Sequence, residues 1–253
     1  INASSLSGDE LENISCAAII ESSHYSVTSF DGTLKGVTLK NFFSNFISNL
    51  DLKCENPRSL REPIAIDFGP DLETFMNSIK IPFLFPANTK VPTEYHEIFP
   101  LDQSLLRFGE YVRTANNQQV DACFDLFDQN NQKCISVLEC KNRHVSLSPN
   151  ILLSNLTKSI RFSQLYSDSK CILHLTMCRS FVSAKDSRTN WKSLAAFSNQ
   201  AKINIYCLKI SENGFTFTPF SQIHPKHFVL HPDPSFISII IETDLILKYF
   251  DDK

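Results

Sequence analysis

The stretch VDACFDLFDQNNQKCISVLECK, residues 120–141, decides the fold of this chain. Its first part, 120–127, has the alternation that is typical of a strand. The polar run 128–132 is typical of a loop, and 133–141 is a segment with apolar side chains on both faces. Two strands joined by a short polar loop predict a β-hairpin, and the doubly apolar second strand predicts a central position in a sheet.

The segments around this hairpin predict the rest of a mixed sheet. Before it, residues 105–114 are extended and the pair Asn116-Asn117 indicates a turn. After it, the pattern predicts in chain order a helix at 151–166, a strand at 171–177, a helix at 190–200, a strand at 202–210 and an extended segment at 236–242. Hairpins followed by helical crossovers predict an α/β fold, a mixed β-sheet flanked by helices.

The N-terminal part, residues 1–95, is an acidic region of mixed character. Its apolar periodicity predicts helices at 37–50 and 71–79. Four prolines punctuate the segment 81–100 and indicate a boundary there. We therefore expect an N-terminal appendage over 1–95 and a second domain over 96–253. Because the chain begins with Ile rather than Met, we also expect it to be a processed or truncated piece.

Composition favours an intracellular protein with a real core. Hydrophobic residues make up 42% of the chain, and no apolar run is long enough for a membrane span. The eight cysteines form no CxxC pair and lie mostly in apolar runs, which favours buried, reduced thiols over a disulfide framework. We therefore expect an intracellular or nuclear location and no membrane association.

Two charged residues, Glu139 and Lys141, end the apolar strand at 133–141. Side chains alternate along a strand, so both point to the same face. A Glu-x-Lys tripeptide is short enough to occur by chance. Its position still suggests chemistry, because packing alone does not call for a carboxylate and an ammonium at the end of a buried strand.

The hairpin register predicts a second acid beside Glu139. If 128–132 is the loop, Phe127 faces Lys133, and counting outward sets Asp121 opposite Glu139. Two acids directly opposite each other repel, so we expect a divalent cation to neutralise them. Carboxylate oxygens suit Mg²⁺ or Mn²⁺, and Lys141 lies diagonally nearby.

Two further acids remain open as alternatives. Asp125 shares the face of Asp121 but lies opposite Ile135, so it replaces Asp121 only if the loop is shorter. Glu110 also reaches this face if the loop at Asn116 has two or four residues, whereas an odd loop turns it away.

The segments VDACFDLF and CISVLECKNR resemble the PD-(D/E)xK nuclease superfamily, whose fold is restriction-endonuclease-like. The matching residues are Asp121, Glu139 and Lys141, and the resemblance covers roughly 105–210. Val120 stands where the pattern has Pro. After a proline-rich lead-in, the same segments look like the nuclease domains of Crinkler-type effectors and of related eukaryotic mobile-element proteins.

The resemblance implies a metal-dependent endonuclease, with DNA as the expected substrate. Asp121 and Glu139 would hold Mg²⁺ or Mn²⁺ with help from the Cys140 backbone carbonyl, and Lys141 would position the attacking water. Residues expected to face the nucleic-acid backbone are Arg143, Lys158, Arg161 and Gln164. Many such nucleases act as homodimers that cut both strands.

The charge distribution is compatible with this function and with a second one. The chain has a net charge of −3, yet 139–202 contains ten basic and three acidic residues. This segment is either a phosphate-contacting surface or a solvated basic face.

The alternative function is a catalytically inactive nuclease-fold module that binds nucleic acid, or an effector or adaptor that binds a partner protein through 1–95. Glu139 and Lys141 would be a structural ion pair in a third interpretation. No P-loop or GxSxG motif predicts nucleotide hydrolysis or serine-hydrolase chemistry.

Overall fold

The computed structural model describes residues 7–24, 28–30, 34–50, 64–86, 110–113, 120–141, 146–166, 170–181 and 191–251. The strands in these ranges are β1 (Thr28–Phe30), β2 (Leu34–Thr38), β3 (Ile66–Asp67), β4 (Lys80–Pro82), β5 (Phe85–Pro86), β6 (Glu110–Arg113), β7 (Ala122–Phe127), β8 (Lys133–Lys141), β9 (Lys170–Cys178), β10 (Ile203–Ser211), β11 (Gly214–Pro219) and β12 (Phe236–Glu242). The helices are α1 (Gly8–Ser22), α2 (Leu39–Asn49), α3 (Pro70–Ser78), α4 (Pro149–Tyr166), α5 (Lys192–Gln200), α6 (Phe220–Ile223) and α7 (Thr243–Asp251).

These strands form one large mixed sheet. Its order is β1-β2-β4-β7-β8-β9-β12-β10-β11-β3, with β6 paired to β7 and β5 paired to β6. The strands β8, β9, β12 and β10 are parallel neighbours, whereas β7 pairs antiparallel with β8. The predicted α/β class, a mixed sheet flanked by helices, is therefore confirmed. Strand β8 is central and buried along most of its length, as its two apolar faces predicted.

Alternate side chains of the sheet enter two separate hydrophobic cores. On one side, Leu138 and Cys140 pack in a core with residues of α1, α2 and α3, and we call this side the α2 face. On the other side, Ile135 and Val137 pack with residues of α4 and α5, and we call it the α4 face. Because side chains alternate along a strand, Glu139 and Lys141 belong to the α4 face with Val137.

The hairpin between β7 and β8 has the predicted register. Phe127 pairs with Lys133, and the pairing continues to Ala122 opposite Leu138. In the loop, one carboxylate oxygen of Asp128, Oδ1, accepts the N–H groups of Asn130 at 2.8 Å and Gln132 at 2.9 Å. Asn131 has a φ of 58°, a left-handed conformation that asparagine tolerates better than most residues. The five-residue loop thus sets the register in which β7 pairs with β8.

The elements after the hairpin match the predicted order. The predicted helices at 151–166 and 190–200 correspond to α4 and α5, and the predicted strands correspond to β9, β10 and β12. Pro149 is the first residue of α4, where its missing N–H is harmless. Since β8, β9, β12 and β10 are parallel, their carboxyl ends all lie at one edge of the sheet.

The N-terminal part contributes strands to the same sheet. Strand β4 pairs with β7, and β3 pairs with β11. The sheet therefore continues across the division that the sequence suggested between 95 and 96. The helix predicted at 37–50 is α2, which begins later because Val37 pairs with Ile81 in the sheet. Six of the cysteines in the described part, Cys16, Cys123, Cys134, Cys140, Cys178 and Cys207, are free thiols.

We expect Asp128→Ala to lower the free energy of unfolding by about 1–2 kcal/mol, because two loop N–H groups lose their acceptor. Urea denaturation measures this loss. Gln129→Ala, an exposed residue of the same loop, serves as the control and should change stability by less than about 0.5 kcal/mol. Equal losses in the two variants would show that the Asp128 carboxylate does not organise the loop.

Candidate active site

Glu139 is a buried carboxylate near the end of β8. Its exposed fraction is 1%, and its Oε2 accepts a hydrogen bond from Lys141 Nζ at 2.5 Å. Its other oxygen, Oε1, is buried without a hydrogen-bond partner. Burial raises the pKa of Glu139, the ammonium of Lys141 opposes that shift, and Asp121 adds to it. A buried polar atom of this kind is costly unless something pairs with it.

Asp121 lies beside Glu139, as the hairpin register predicts. Continuing the pairing of Ala122 with Leu138 by one residue sets Asp121 opposite Glu139. Its Oδ2 accepts the backbone N–H of Cys140 at 2.6 Å and Lys141 Nζ at 3.3 Å. The structure thus brings together Asp121, Glu139 and Lys141, the three residues on which the resemblance rests.

Lys141 joins the two carboxylates through one ammonium group. Its side chain is 17% exposed, against 28% for Asp121. Burial lowers the pKa of Lys141, but the charges and hydrogen bonds of Glu139 and Asp121 outweigh that effect and raise it. Lys141 therefore remains charged and itself neutralises part of the repulsion that suggested a bound cation.

The donor set suits a hard divalent cation. Asp121 and Glu139 supply carboxylate oxygens, which Mg²⁺ and Mn²⁺ prefer, and Mg²⁺ commonly binds through one or two carboxylates plus waters. The unpartnered Oε1 of Glu139 is a ligand atom in need of a partner. Within the described residues, no group of three or more His, Cys, Asp and Glu side chains converges as a metal site. The two carboxylates therefore fit an ion that keeps much of its water shell.

Helix α4 carries basic and polar residues past this cluster. The positive charge of Lys158 lowers the pKa of Glu139, which places Lys158 within electrostatic range of the site. Arg161 and Gln164 follow at three-residue intervals, and all three side chains are exposed. On the buried side of the same helix, Asn155 is 2% exposed and its Nδ2 has no hydrogen-bond partner.

Polar residues of β9 and β12 extend the site across the α4 face. Thr176 pairs with Glu139, and His174 lies two residues before it. His174 is fully buried with Nδ1 3.0 Å from Ser238 Oγ, and burial with the nearby Lys141 lowers its pKa to about 3. His174 is a satisfied core histidine, as expected from the sequence. Its electrostatic interaction with Lys141 was not predicted, because the parallel pairing of β8 with β9 has no local sequence pattern.

The alternative acid Asp125 does not join the cluster. It lies opposite Ile135, as predicted for a loop at 128–132, and forms an ion pair with Lys133 at 3.0 Å. Four residues of strand, about 13 Å, separate it from Asp121. The structure therefore favours Asp121 over Asp125.

Three other candidates are described only in part. The pairing of Val112 with Cys123 sets the backbone of Glu110 level with Asp125, and the side chain of Glu110 lies outside the described residues. Arg143 also lies outside them. Cys140 donates its N–H to Asp121, while burial raises the pKa of its thiol, which points to the α2 face. Metal ligation by the Cys140 carbonyl stays a prediction.

We expect Lys141→Met to lower the free energy of unfolding of the metal-free protein by about 3 kcal/mol, because it leaves the Glu139 carboxylate buried without a counter-charge. Proton uptake by Glu139 limits the loss. The control is Lys40→Met, which removes one partner of the Lys40–Glu73 ion pair, whose side chains are 37% and 36% exposed. That change should cost less than about 1 kcal/mol in urea denaturation. Equal losses of stability in Lys141→Met and Lys40→Met would mean that Lys141 does not neutralise a buried charge.

The raised pKa of Glu139 predicts a pH dependence of stability. A folded-state pKa above the unfolded value means that the folded protein holds the proton more tightly, so stability falls as pH rises through the folded pKa. Glu139→Gln removes this titration. In EDTA at pH 7 we expect the variant to unfold at higher urea than the wild type, with the difference vanishing below the ordinary carboxyl pKa of 4.5.

The control for this measurement is Glu212→Gln, at an exposed turn residue, which should change the free energy of unfolding by less than about 0.5 kcal/mol. A Glu139→Gln variant that is less stable than wild type at pH 7 would contradict the prediction. It would mean that the ion pair with Lys141 outweighs the cost of burying the Glu139 charge.

Comparisons with known proteins add nothing to this geometry, since no family model, no curated protein and no solved structure matches the chain. Among the helices described, none is both long enough and apolar enough to cross a membrane. The side chains at the end of β8 therefore carry the functional interpretation.

Proposed function

We propose that this chain is a metal-dependent nuclease with a restriction-endonuclease-like core, and that Asp121, Glu139 and Lys141 are its catalytic residues. The observation that carries the proposal is the cluster at the end of β8, where one ammonium lies within hydrogen-bond distance of two carboxylates. The unpartnered Oε1 of Glu139 supports a ligand there. The order of elements supports the fold assignment: antiparallel β6, β7 and β8, then α4, then β9 parallel to β8.

Each residue of the cluster has a distinct task in this function. Asp121 and Glu139 would hold Mg²⁺ or Mn²⁺, which when bound supplies Lewis-acid stabilisation and an acidified water. The N–H of Cys140 fixes one oxygen of Asp121, so that carboxylate is oriented before any ligand arrives. Lys141 is placed to orient a water or to neutralise a non-bridging phosphate oxygen.

Basic residues beside the cluster support a nucleic-acid substrate. Lys158 and Arg161 lie on the exposed side of α4, and Arg179 follows the end of β9 with 30% of its side chain exposed. Contacts of this kind neutralise phosphates and hold a nucleic acid in register without specifying its sequence. DNA is the substrate that we propose for this site.

A second function is favoured by the position of Lys141. Its ammonium already pairs with both carboxylates, so part of their charge is neutralised without a metal. A nuclease-fold module that binds nucleic acid or a partner protein without turnover would keep such an arrangement. Salt-dependent DNA binding without hydrolysis would support this alternative.

The test is cleavage of supercoiled plasmid by the purified chain in Mg²⁺ or Mn²⁺. We expect nicking or linearisation that EDTA abolishes and that Asp121→Asn or Glu139→Gln slows by about 100-fold or more. The control is Glu73→Gln on α3, outside the cluster, which should cleave like the wild type. Cleavage in EDTA, or cleavage unchanged in Glu139→Gln, would overturn the proposal. Binding without cleavage in either metal would favour the inactive module.

A further inference from the structure

A cavity of about 400 Å³ opens on the same edge of the sheet as the candidate active site. Its apolar walls are Phe181, Phe220, Ile223 and Leu245, and Cys207 and Thr218 also line it. Leu245 is 40% exposed, one of two exposed large hydrophobic residues in the described part of the chain. The volume lies in the range of sites that bind small organic groups.

The strand register places this cavity close to Lys141. Cys178 of β9 pairs with Lys141 of β8 on one side and with Glu242 of β12 on the other. Glu242 is therefore level with Lys141, two strand spacings or about 10 Å across the sheet, and on the same face. Parallel α/β sheets commonly bind ligands at this edge, beyond the carboxyl ends of their strands.

The charged residues that line the cavity are Glu242 and Lys209. Glu242 lines the cavity, and its Oε1 accepts the backbone N–H of Phe181 at 2.6 Å. Burial raises the pKa of Glu242, although it remains only partly buried. His224 also lines the cavity, and burial with the nearby His227 lowers its pKa, so its ring is neutral at pH 7. The cavity thus combines hydrogen-bond acceptors with flat apolar walls.

A half-buried basic residue follows β9, the strand between Lys141 and Glu242. Arg179 directly follows Cys178, and its Nε donates to Asp244 Oδ2 at 2.9 Å. Its side chain remains 30% exposed. The guanidinium therefore belongs to the same edge of the sheet as Lys141 and the cavity. A separation of about 10 Å corresponds to about three nucleotide steps of a B-form strand.

We propose that this cavity binds a nucleobase of the substrate, stacked on its apolar walls and read by Glu242 through the base's amino group. This inference rests on the proposed function. Aromatic side chains stack on bases of any identity, whereas a carboxylate accepts hydrogen bonds from amino groups such as N4 of cytosine. A base can reach such a cavity only when it is unpaired or extruded from a duplex.

The charge of the cavity argues against other occupants. Lys209 also lines the cavity, so a free phosphate would meet both an ammonium and the Glu242 carboxylate, and it would leave the apolar walls without a contact. A purely aliphatic ligand would bury that carboxylate without a donor. A planar heterocycle with N–H donors can stack on the apolar walls and donate a hydrogen bond to the Glu242 carboxylate. The proposed ligand class is therefore a nucleotide whose base carries an exocyclic amino group.

The experiment uses the fluorescence of Trp191, the single Trp of the chain. Its ring centroid lies 4.1 Å from that of His224 and 5.7 Å from that of Phe181, both of which line the cavity. In EDTA, we expect dCMP, dAMP or dGMP to change this fluorescence in a saturable way, at least one of them with about tenfold lower Kd than TMP. Deoxyribose 5-phosphate, which has no base, should give no change.

Two variants test the contacts. Glu242→Gln keeps an oxygen that can accept the Phe181 N–H, and it should abolish the preference over TMP. Leu245→Glu places a carboxylate at the mouth and should raise the Kd of every nucleotide about tenfold or more. Its matched control is Val229→Glu at the other exposed large hydrophobic, 58% exposed and outside the cavity lining, which should bind like the wild type.

Three results would overturn the inference: no nucleotide changes the fluorescence at millimolar concentration, deoxyribose 5-phosphate acts as dCMP does, or Leu245→Glu binds like Val229→Glu. Because these titrations need neither metal nor cleavage, their outcome is separable from that of the plasmid assay. Nucleotide binding without plasmid cleavage would support the cavity as a base-binding site and overturn the nuclease proposal. Plasmid cleavage without a change in Trp191 fluorescence would support the nuclease proposal and overturn the base-binding site.

Discussion

The register of one hairpin is the constraint on which the candidate site depends. Asp128 closes a five-residue loop, and Phe127 pairs with Lys133 across it. That pairing sets Asp121 beside Glu139, and strand alternation sets Lys141 on their face. A shift of one residue would turn one strand's acids to the α2 face. The loop is about 20 Å from the acids along the strands, yet its geometry decides whether they meet.

Burial gives this cluster its chemical character. A carboxylate that is 1% exposed is disfavoured in its charged form, and the raised pKa of Glu139 expresses that cost. Lys141 reduces the cost without removing it, and one carboxylate oxygen stays unpartnered. A site in this state gains from any cation that can reach it. The same feature explains how one arrangement can serve either as a metal-dependent centre or as an ion pair of a binding module.

The hairpin and the elements after it were predictable from the sequence because their patterns are local. Strand β8 is recognisable from apolar residues on both faces, and the polar loop identifies its partner. Helix α1 was missed although Ser7 and Glu10 form a capping box, since its apolar face is weak and it packs on α2. The two-residue strand β3 is too short for periodicity to identify. Helix α7 was not predicted either, although it is as long as the predicted helices α3 and α5. The level arrangement of Lys141, Cys178 and Glu242 depends on pairing between distant parallel strands, which no local pattern specifies.

The most direct test of the central claim is a Mn²⁺ titration of the purified chain followed by electron paramagnetic resonance. The account predicts a bound ion whose affinity falls about tenfold or more in Asp121→Asn and in Glu139→Gln. Asp125→Asn, which alters the neighbouring acid of β7 outside the cluster, should bind Mn²⁺ like the wild type. Equal binding by all four proteins, or no binding by the wild type, would contradict the assignment of Asp121 and Glu139 as a metal-dependent centre.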